Sequence, residues 1–321
     1  MKLLPGGWLL RVSLIALVSG APCRPASAGP LREWLAEHRL AQERPVALPT
    51  GVRVARDVAY GDDARQRFDV YFPQQPLQQG RGAPVIFMVH GGAWQFGDKA
   101  APSVIENKIA RWVPRGLVVI STNYRLLPQA TPARQAEDVA RALAAAQKAA
   151  ASWGADPHRF ILMGHSAGAH LESLLAASPT LAATAGATPW LGVVSLDSAA
   201  LNVPEIMNAR HPRLYDRAFG ADPAGWPSVS PFHVLTRRAP PFLMVCSTQR
   251  EDACPQARRF VARAQSLGGR ASVLAQDLSH GDINQRLGEA GAYTQAVEAF
   301  MGSLDTSLAT ALTDAVPGGH H

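Results

Sequence analysis

The sequence predicts an α/β fold with a mostly parallel central sheet and helices on both faces. Three observations carry this prediction. Strand-length apolar runs alternate with helix-period segments along most of the 321 residues, and strand followed by helix, repeated, builds a parallel sheet. The central runs, such as Pro84-Val85-Ile86-Phe87-Met88-Val89, read as buried strands. One of them, Phe160-Ile161-Leu162-Met163, breaks into Gly164-His165-Ser166-Ala167-Gly168 and then into the helical pattern of Ala169 to Leu175.

Taken in order, residues 1–28 read as a signal peptide. Lys2 and Arg11 give a positive start, Val12 to Val18 is a short apolar core, and Ala26-Ser27-Ala28 is a small-x-small cleavage site before Gly29. The core is too short to span a bilayer, and no later stretch is long and apolar enough. Pro22 before Cys23 fits lipid attachment poorly. Residues 29–54 form an N-terminal arm or cap, in which Leu31 to Leu40 reads as a short amphipathic helix. Residues 55–304 form the main domain. Arg56 to Tyr60 and Arg67 to Phe72 alternate like antiparallel edge strands, and Gln74 to Gly82 is a loop. The strand at 84–89 precedes a helix around Val104 to Val113 and a strand at Leu117 to Thr122. Thr131-Pro132 places a cap and a first-turn proline at the start of an Ala-rich helix that stops at Gly154. Three further strands follow the nucleophile strand: Leu191 to Leu196, Pro241 to Cys246 and Ser272 to Leu278. Residues 198–238 are long for a connection. Their aromatics, Tyr215, Phe219, Trp226 and Phe232, suit a pocket wall. Residues 305–321 are expected to form a disordered tail.

The chemistry centres on Ser166. Glycines two residues either side of a serine, between strand and helix, permit a strained turn that lifts the hydroxyl out of the sheet. The following helix turns its positive end toward the reacting group. The strand at 84–89 ends in His90-Gly91-Gly92-Ala93-Trp94, whose backbone N–H groups at Gly91, Gly92 and Ala93, with that of Ala167, form a candidate oxyanion hole. His280 follows the last strand in a loop and is the candidate general base. The sequence favours Asp252 as the acid that orients it, with Glu251 and Asp197 left open as alternatives. His90, His165 and His170 are read as orienting or packing residues, and Trp94 as pocket wall.

These residues resemble the α/β-hydrolase superfamily. The similarity is to serine esterases of the hormone-sensitive-lipase-like and feruloyl-esterase-like groups, and to kynurenine formamidases. It rests on His90-Gly91-Gly92-Ala93-Trp94 with Gly97-Asp98-Lys99, on Asn123-Tyr124-Arg125-Leu126 and on Gly164-His165-Ser166-Ala167-Gly168-Ala169-His170. It covers residues 55 to 302. The resemblance implies a Ser–Asp–His triad, an oxyanion hole from the HGG loop and no cofactor. One departure is that Ser247-Thr248-Gln249-Arg250-Glu251-Asp252 replaces the family's Gly-x-x-Asp acid loop.

Composition bounds the rest. Charged residues are 17% and apolar ones 47% of the chain, ample for a single large core. The net charge is +6, of which Lys2, Arg11 and Arg24 in the first 28 residues supply three. The remaining basic residues are scattered, which argues against nucleic acid as a partner. Cys246 and Cys254 remain after signal cleavage and flank the acid loop, so export predicts a disulfide there. No third Cys or His lies near enough in sequence to predict a metal site. The expected function is a secreted or periplasmic serine carboxylesterase acting on a small-molecule ester. The alternatives are an arylformamidase-like amide hydrolase and an inactive hydrolase fold used for binding.

Overall fold

The computed structural model describes residues 45–75 and 82–313. The segments read from the sequence as a signal peptide and as an amphipathic helix at 31–40, and the residues beyond 313, lie outside the described residues. Eight strands form one sheet: β1 (Val52–Ala59), β2 (Arg67–Pro73), β3 (Ala83–Val89), β4 (Val118–Thr122), β5 (Ala155–His165), β6 (Gly192–Leu196), β7 (Phe242–Ser247) and β8 (Ala271–Gln276). Their order is β1-β2-β4-β3-β5-β6-β7-β8. β2 pairs antiparallel with both β1 and β4, and β3 to β8 run parallel.

Alternation along each central strand divides the core in two. Val85, Phe87, Val89, Phe160 and Leu162 face one layer, and Ile86, Met88, Ile161 and Met163 face the other. The first layer is covered by α2 (Pro132–Ala149), α3 (Ala167–Ala177) and α4 (Ala253–Ser266). The second is covered by α1 (Pro102–Trp112), α6 (Ala292–Gly302) and α7 (Thr306–Thr313). α5 (His280–Gln285) lies between β8 and α6 in sequence. Truncating a fully buried residue such as Leu162 is expected to cost about 2–5 kcal/mol.

Several elements differ from expectation. β1 begins at Val52, inside the segment read as the arm. Thr131 sits at the N-cap of α2 with Pro132 behind it, but its side chain makes no capping bond. His280 does not lie in a loop: Ser279 caps the Asp282 N–H, and His280 opens α5. Of the tail expected to be disordered from 305, the described residues form α7 instead. Leu308, Ala311 and Leu312 are buried at helical spacing, and the Asp305 carboxylate accepts from the N–H groups of Ser307 and Leu308. Arg159 also binds Asp305 at 2.9 Å, fixing the start of α7 to β5. Among the described residues, no helix is long and apolar enough to cross a membrane.

Candidate active site

Ser166 sits between β5 and α3 with φ 55° and ψ −116°. A non-glycine residue there costs of order 1–3 kcal/mol and persists only where neighbours enforce it. The enforcement is visible: Ser166 N–H donates to the Leu196 carbonyl of β6 at 2.9 Å. The close approach also needs glycine. A Cβ on Gly168 would lie 2.2 Å from the Val89 carbonyl oxygen, so only a bare backbone lets α3 pack against the end of β3. A Cβ on Gly91 would lie 3.1 Å from that of Ser166, which places the HGG loop directly beside the serine.

That loop is itself in an unusual conformation. Gly92 (φ 125°), Ala93 (φ 51°) and Trp94 (φ 61°) all have positive φ. The Gly92 carbonyl accepts from the Gln95 and Phe96 N–H groups, closing a tight turn. The N–H groups of Gly92 and Ala93 donate to no acceptor among the described residues. Ala167 is the first residue of α3, so its N–H has no acceptor within the helix. Asn123 braces the loop's far end: its amide donates to Asp98 at 2.8 Å and its oxygen accepts from the Lys99 N–H at 2.7 Å. Buried Lys99 is fixed in turn by Asp57 and Asp69.

The carboxylate that meets His280 is Asp197 rather than the favoured Asp252. His280 Nδ1 lies 2.5 Å from Asp197 Oδ2, and Asp197 is completely buried at the end of β6. Asp252 does not face His280. Its side chain is half exposed and pairs with Arg250 at 3.3 Å. Glu251 is exposed on the same turn. The reason is topological: Asp197 has φ 55° and leaves its strand beside the Ser166 elbow, whereas Asp252 has already entered the turn that opens α4. Asp197 Oδ1 accepts from the Ser247 N–H at 2.7 Å, and Oδ2 also accepts from Arg250 Nη1 at 2.9 Å. Burial pushes the Asp197 carboxyl up. The hydrogen bond and charge of His280, the Arg250 charge and the Ser247 N–H outweigh it and hold the group well below the usual carboxylate range.

The other histidines are structural in geometry. His90 Nδ1–H donates to the Gly91 carbonyl, and its ring stacks on Tyr124. His165 Nε2–H donates to the His280 carbonyl at 2.9 Å, so the residue before the serine anchors the start of α5. His170 Nε2–H donates to the Val229 carbonyl, while its Nδ1 accepts from Trp94 Nε1. Burial lowers His170 to about 4, keeping the ring neutral. Trp94, Tyr215 and Phe219 form an aromatic cluster with His170, so residues of the long 198–238 connection pack on the HGG loop. Cys246 and Cys254 are bridged. The bridge encloses Ser247, Arg250 and Asp252. It therefore holds residues that bind Asp197 rather than Asp197 itself. Arg250, which contacts both Asp197 and His280, is the residue here that the sequence motifs did not single out. Its signal was a cation inside the acid loop.

Asp197 and His280 pair near the Ser166 elbow, and the mostly parallel eight-stranded sheet with helices on both faces that carries them is an α/β-hydrolase fold. Residues 68–257 match the BD-FAE family, and the chain belongs to it. Esterase LipQ of Mycobacterium tuberculosis is 31% identical over 226 residues, covering 66% of this chain and 53% of that protein. Isoprenylcysteine alpha-carbonyl methylesterase ICME of Arabidopsis thaliana is 36% identical over 121 residues, 38% of this chain and 27% of that protein. The chain thus spans about half or less of the length of these curated relatives. Among solved structures, esterase B from Lactobacillus rhamnosis superposes with a TM-score of 0.70 at 18% identity, covering 87% of this chain and 93% of that one. A truncated carbohydrate esterase from gut microbiota gives a TM-score of 0.67 at 18% identity, covering 83% and 100% respectively.

Proposed function

We propose that this protein is a serine carboxylesterase acting through an acyl-enzyme. Ser166 Oγ attacks the ester carbonyl while His280 Nε2 accepts its proton. The N–H groups of Gly92, Ala93 and Ala167 stabilise the oxyanion, with Gly91 keeping the loop close. His280 then donates the proton to the leaving alcohol, and water repeats the sequence to release the acid. Asp197 fixes the Nδ1–H tautomer and stabilises the imidazolium. The observation that carries this reading is the pairing of buried Asp197 with His280 near a strained serine elbow. The esterase names of LipQ and ICME agree with it.

The aromatic cluster of Trp94, Tyr215 and Phe219 supports an apolar wall for part of a small-molecule ester. The N-terminal signal pattern and the Cys246–Cys254 bridge support export to an oxidising compartment. The test is a panel of p-nitrophenyl esters of varied acyl length, with a formyl-aryl amide beside it. Ester hydrolysis is expected, with Ser166→Ala lowering kcat by roughly 10⁴ or more. The loss is expected to be non-additive with His280→Ala, because the two residues act as a unit. Near-full ester hydrolysis by Ser166→Ala would overturn the assignment.

A further inference from the structure

Arg250 has contacts that neither packing nor surface solvation explains. Its Nη1 lies 2.9 Å from Asp197 Oδ2, 3.2 Å from the Asp197 carbonyl and 3.0 Å from His280 Nδ1. Its Nη2 pairs with Asp252 at 3.3 Å, and the Tyr215 hydroxyl faces it from the 198–238 connection. His280 Nδ1–H already donates to Asp197 Oδ2. Arg250 and His280 therefore present two donors to one carboxylate oxygen, and their close approach is a repulsion bridged by that oxygen. With both carboxylates engaged, the guanidinium is not a free anion receptor. It is a fixed cation beside the imidazole.

We infer that Arg250 is a positioning residue of the site: it clamps Asp197 in the orientation that receives His280, and its charge disfavours the imidazolium. This rests on the reading of His280 as the general base. Charged and titratable groups approach His280 from several elements, among them Tyr293 of α6, whose hydroxyl donates to the Ile283 carbonyl of α5. Asp197 faces it from β6. Arg250, backed by Asp252, faces it from the loop after β7. The His165 ring lies 4.5 Å away from the end of β5, and Asp282 is on α5 itself. On the α1 side, Lys108 binds Asn284 of α5 through its carbonyl and side chain. Among the described residues, Arg250 is the cation that touches the imidazole, at 3.0 Å. Removing it takes a cation away from the imidazole, which favours the protonated ring, and releases a donor that holds Asp197 in place, which mis-aims the base.

The experiment compares wild type with Arg250→Met and Arg250→Lys. For Arg250→Met, the acid limb of kcat/KM is expected to move to higher pH by about one unit. On the plateau kcat should fall about tenfold with KM nearly unchanged, because a mis-aimed base loses rate without losing substrate contacts. Arg250→Lys is expected to restore the position of the limb and only part of kcat, since it keeps charge without the planar fork. NMR titration of the His280 ring, run on the same proteins, reads the coupling without any substrate. A shift in that titration in Arg250→Met, absent in Arg250→Lys, supports the inference even where no ester is turned over. An unmoved His280 titration in folded Arg250→Met overturns it, and a misfolded Met variant leaves the Lys variant and Arg250→Gln to decide by the same readout. Absence of ester turnover by wild type, with the titration shift present, would instead overturn the esterase reading.

Discussion

Replacing Asp197 with Asn changes one atom and leaves no satisfactory arrangement. The carboxylate uses both oxygens as acceptors: Oδ1 for the Ser247 N–H, and Oδ2 for His280 Nδ1–H and Arg250 Nη1. An asparagine offers one oxygen and one NH₂. If the oxygen stays toward Ser247, the NH₂ meets two donors at His280 and Arg250. If it turns toward His280, the NH₂ meets the Ser247 N–H. The first arrangement forces His280 into the other tautomer, and the second leaves a buried donor clash. Loss of orientation and of the charge that stabilises the imidazolium costs about 10⁴ in kcat for an Asp→Asn change in a known triad, or about 5.5 kcal/mol of barrier. The buried unpaired donor adds about 1–3 kcal/mol of lost stability. Asp252→Asn breaks a half-exposed pair with Arg250. Such pairs are worth about 0–1 kcal/mol, so the expected loss of activity is under about fivefold. Hydrolysis of a short p-nitrophenyl ester by both variants, with denaturant unfolding to confirm that each folds, makes the comparison. A larger loss in Asp252→Asn than in Asp197→Asn would refute the reasoning.

The remaining predictions follow from the surroundings of the site. Cys254→Ser is expected to lower kcat more than its stability loss suggests. The short loop contributes only about 2.5 kcal/mol on the chain-entropy model, yet it holds both Ser247 and Arg250 against the acid. Mass spectrometry of the non-reduced protein should find no alkylatable thiol at Cys246 or Cys254, and free thiols in an active enzyme would contradict the coupling. His170 is held near 4 when folded by burial and titrates near 6.5 when unfolded, so the unfolded state takes up the proton first. Stability should therefore fall by about 3 kcal/mol as pH drops from about 6.5 to about 4, and urea midpoints that stay flat across that window would contradict it. Lys108 is lowered by burial to about 7, so between there and its unfolded value near 10.4 the unfolded state binds more protons. Stability should rise with pH through that range, and Lys108→Met should flatten the rise in the same midpoints.

The central fold was legible because its strands are continuous apolar runs and its turns are glycines with no substitute. Ser166 and the HGG loop could be read for the same reason: local sequence dictates local conformation there. The acid could not be read this way. Asp197, Glu251 and Asp252 are all carboxylates near strand ends, and only the packing of β6 against β5 and β7 decides which meets His280. Arg250 was hidden by the same logic, since a lone arginine in a loop looks like a solvated charge until its carboxylates are placed. The helix at Thr306–Thr313 escaped because eight residues rich in Ala and Thr carry a weak pattern, and their order comes from Arg159 and Asp305. His280 looked like a loop residue because the cap that starts its helix, Ser279 to Asp282, is only one turn long.

The most direct test of the central claim is covalent labelling of the nucleophile. Incubation with a small p-nitrophenyl alkylphosphonate, followed by intact and peptide mass spectrometry, reads the attack of one side chain on an acyl-like centre. One phosphonyl group per chain is expected, carried by Ser166, with ester hydrolysis lost in proportion to labelling and no labelling of Ser166→Ala. Full ester hydrolysis after incubation with no adduct on Ser166, or an adduct on another residue that tracks the loss of activity, would contradict it.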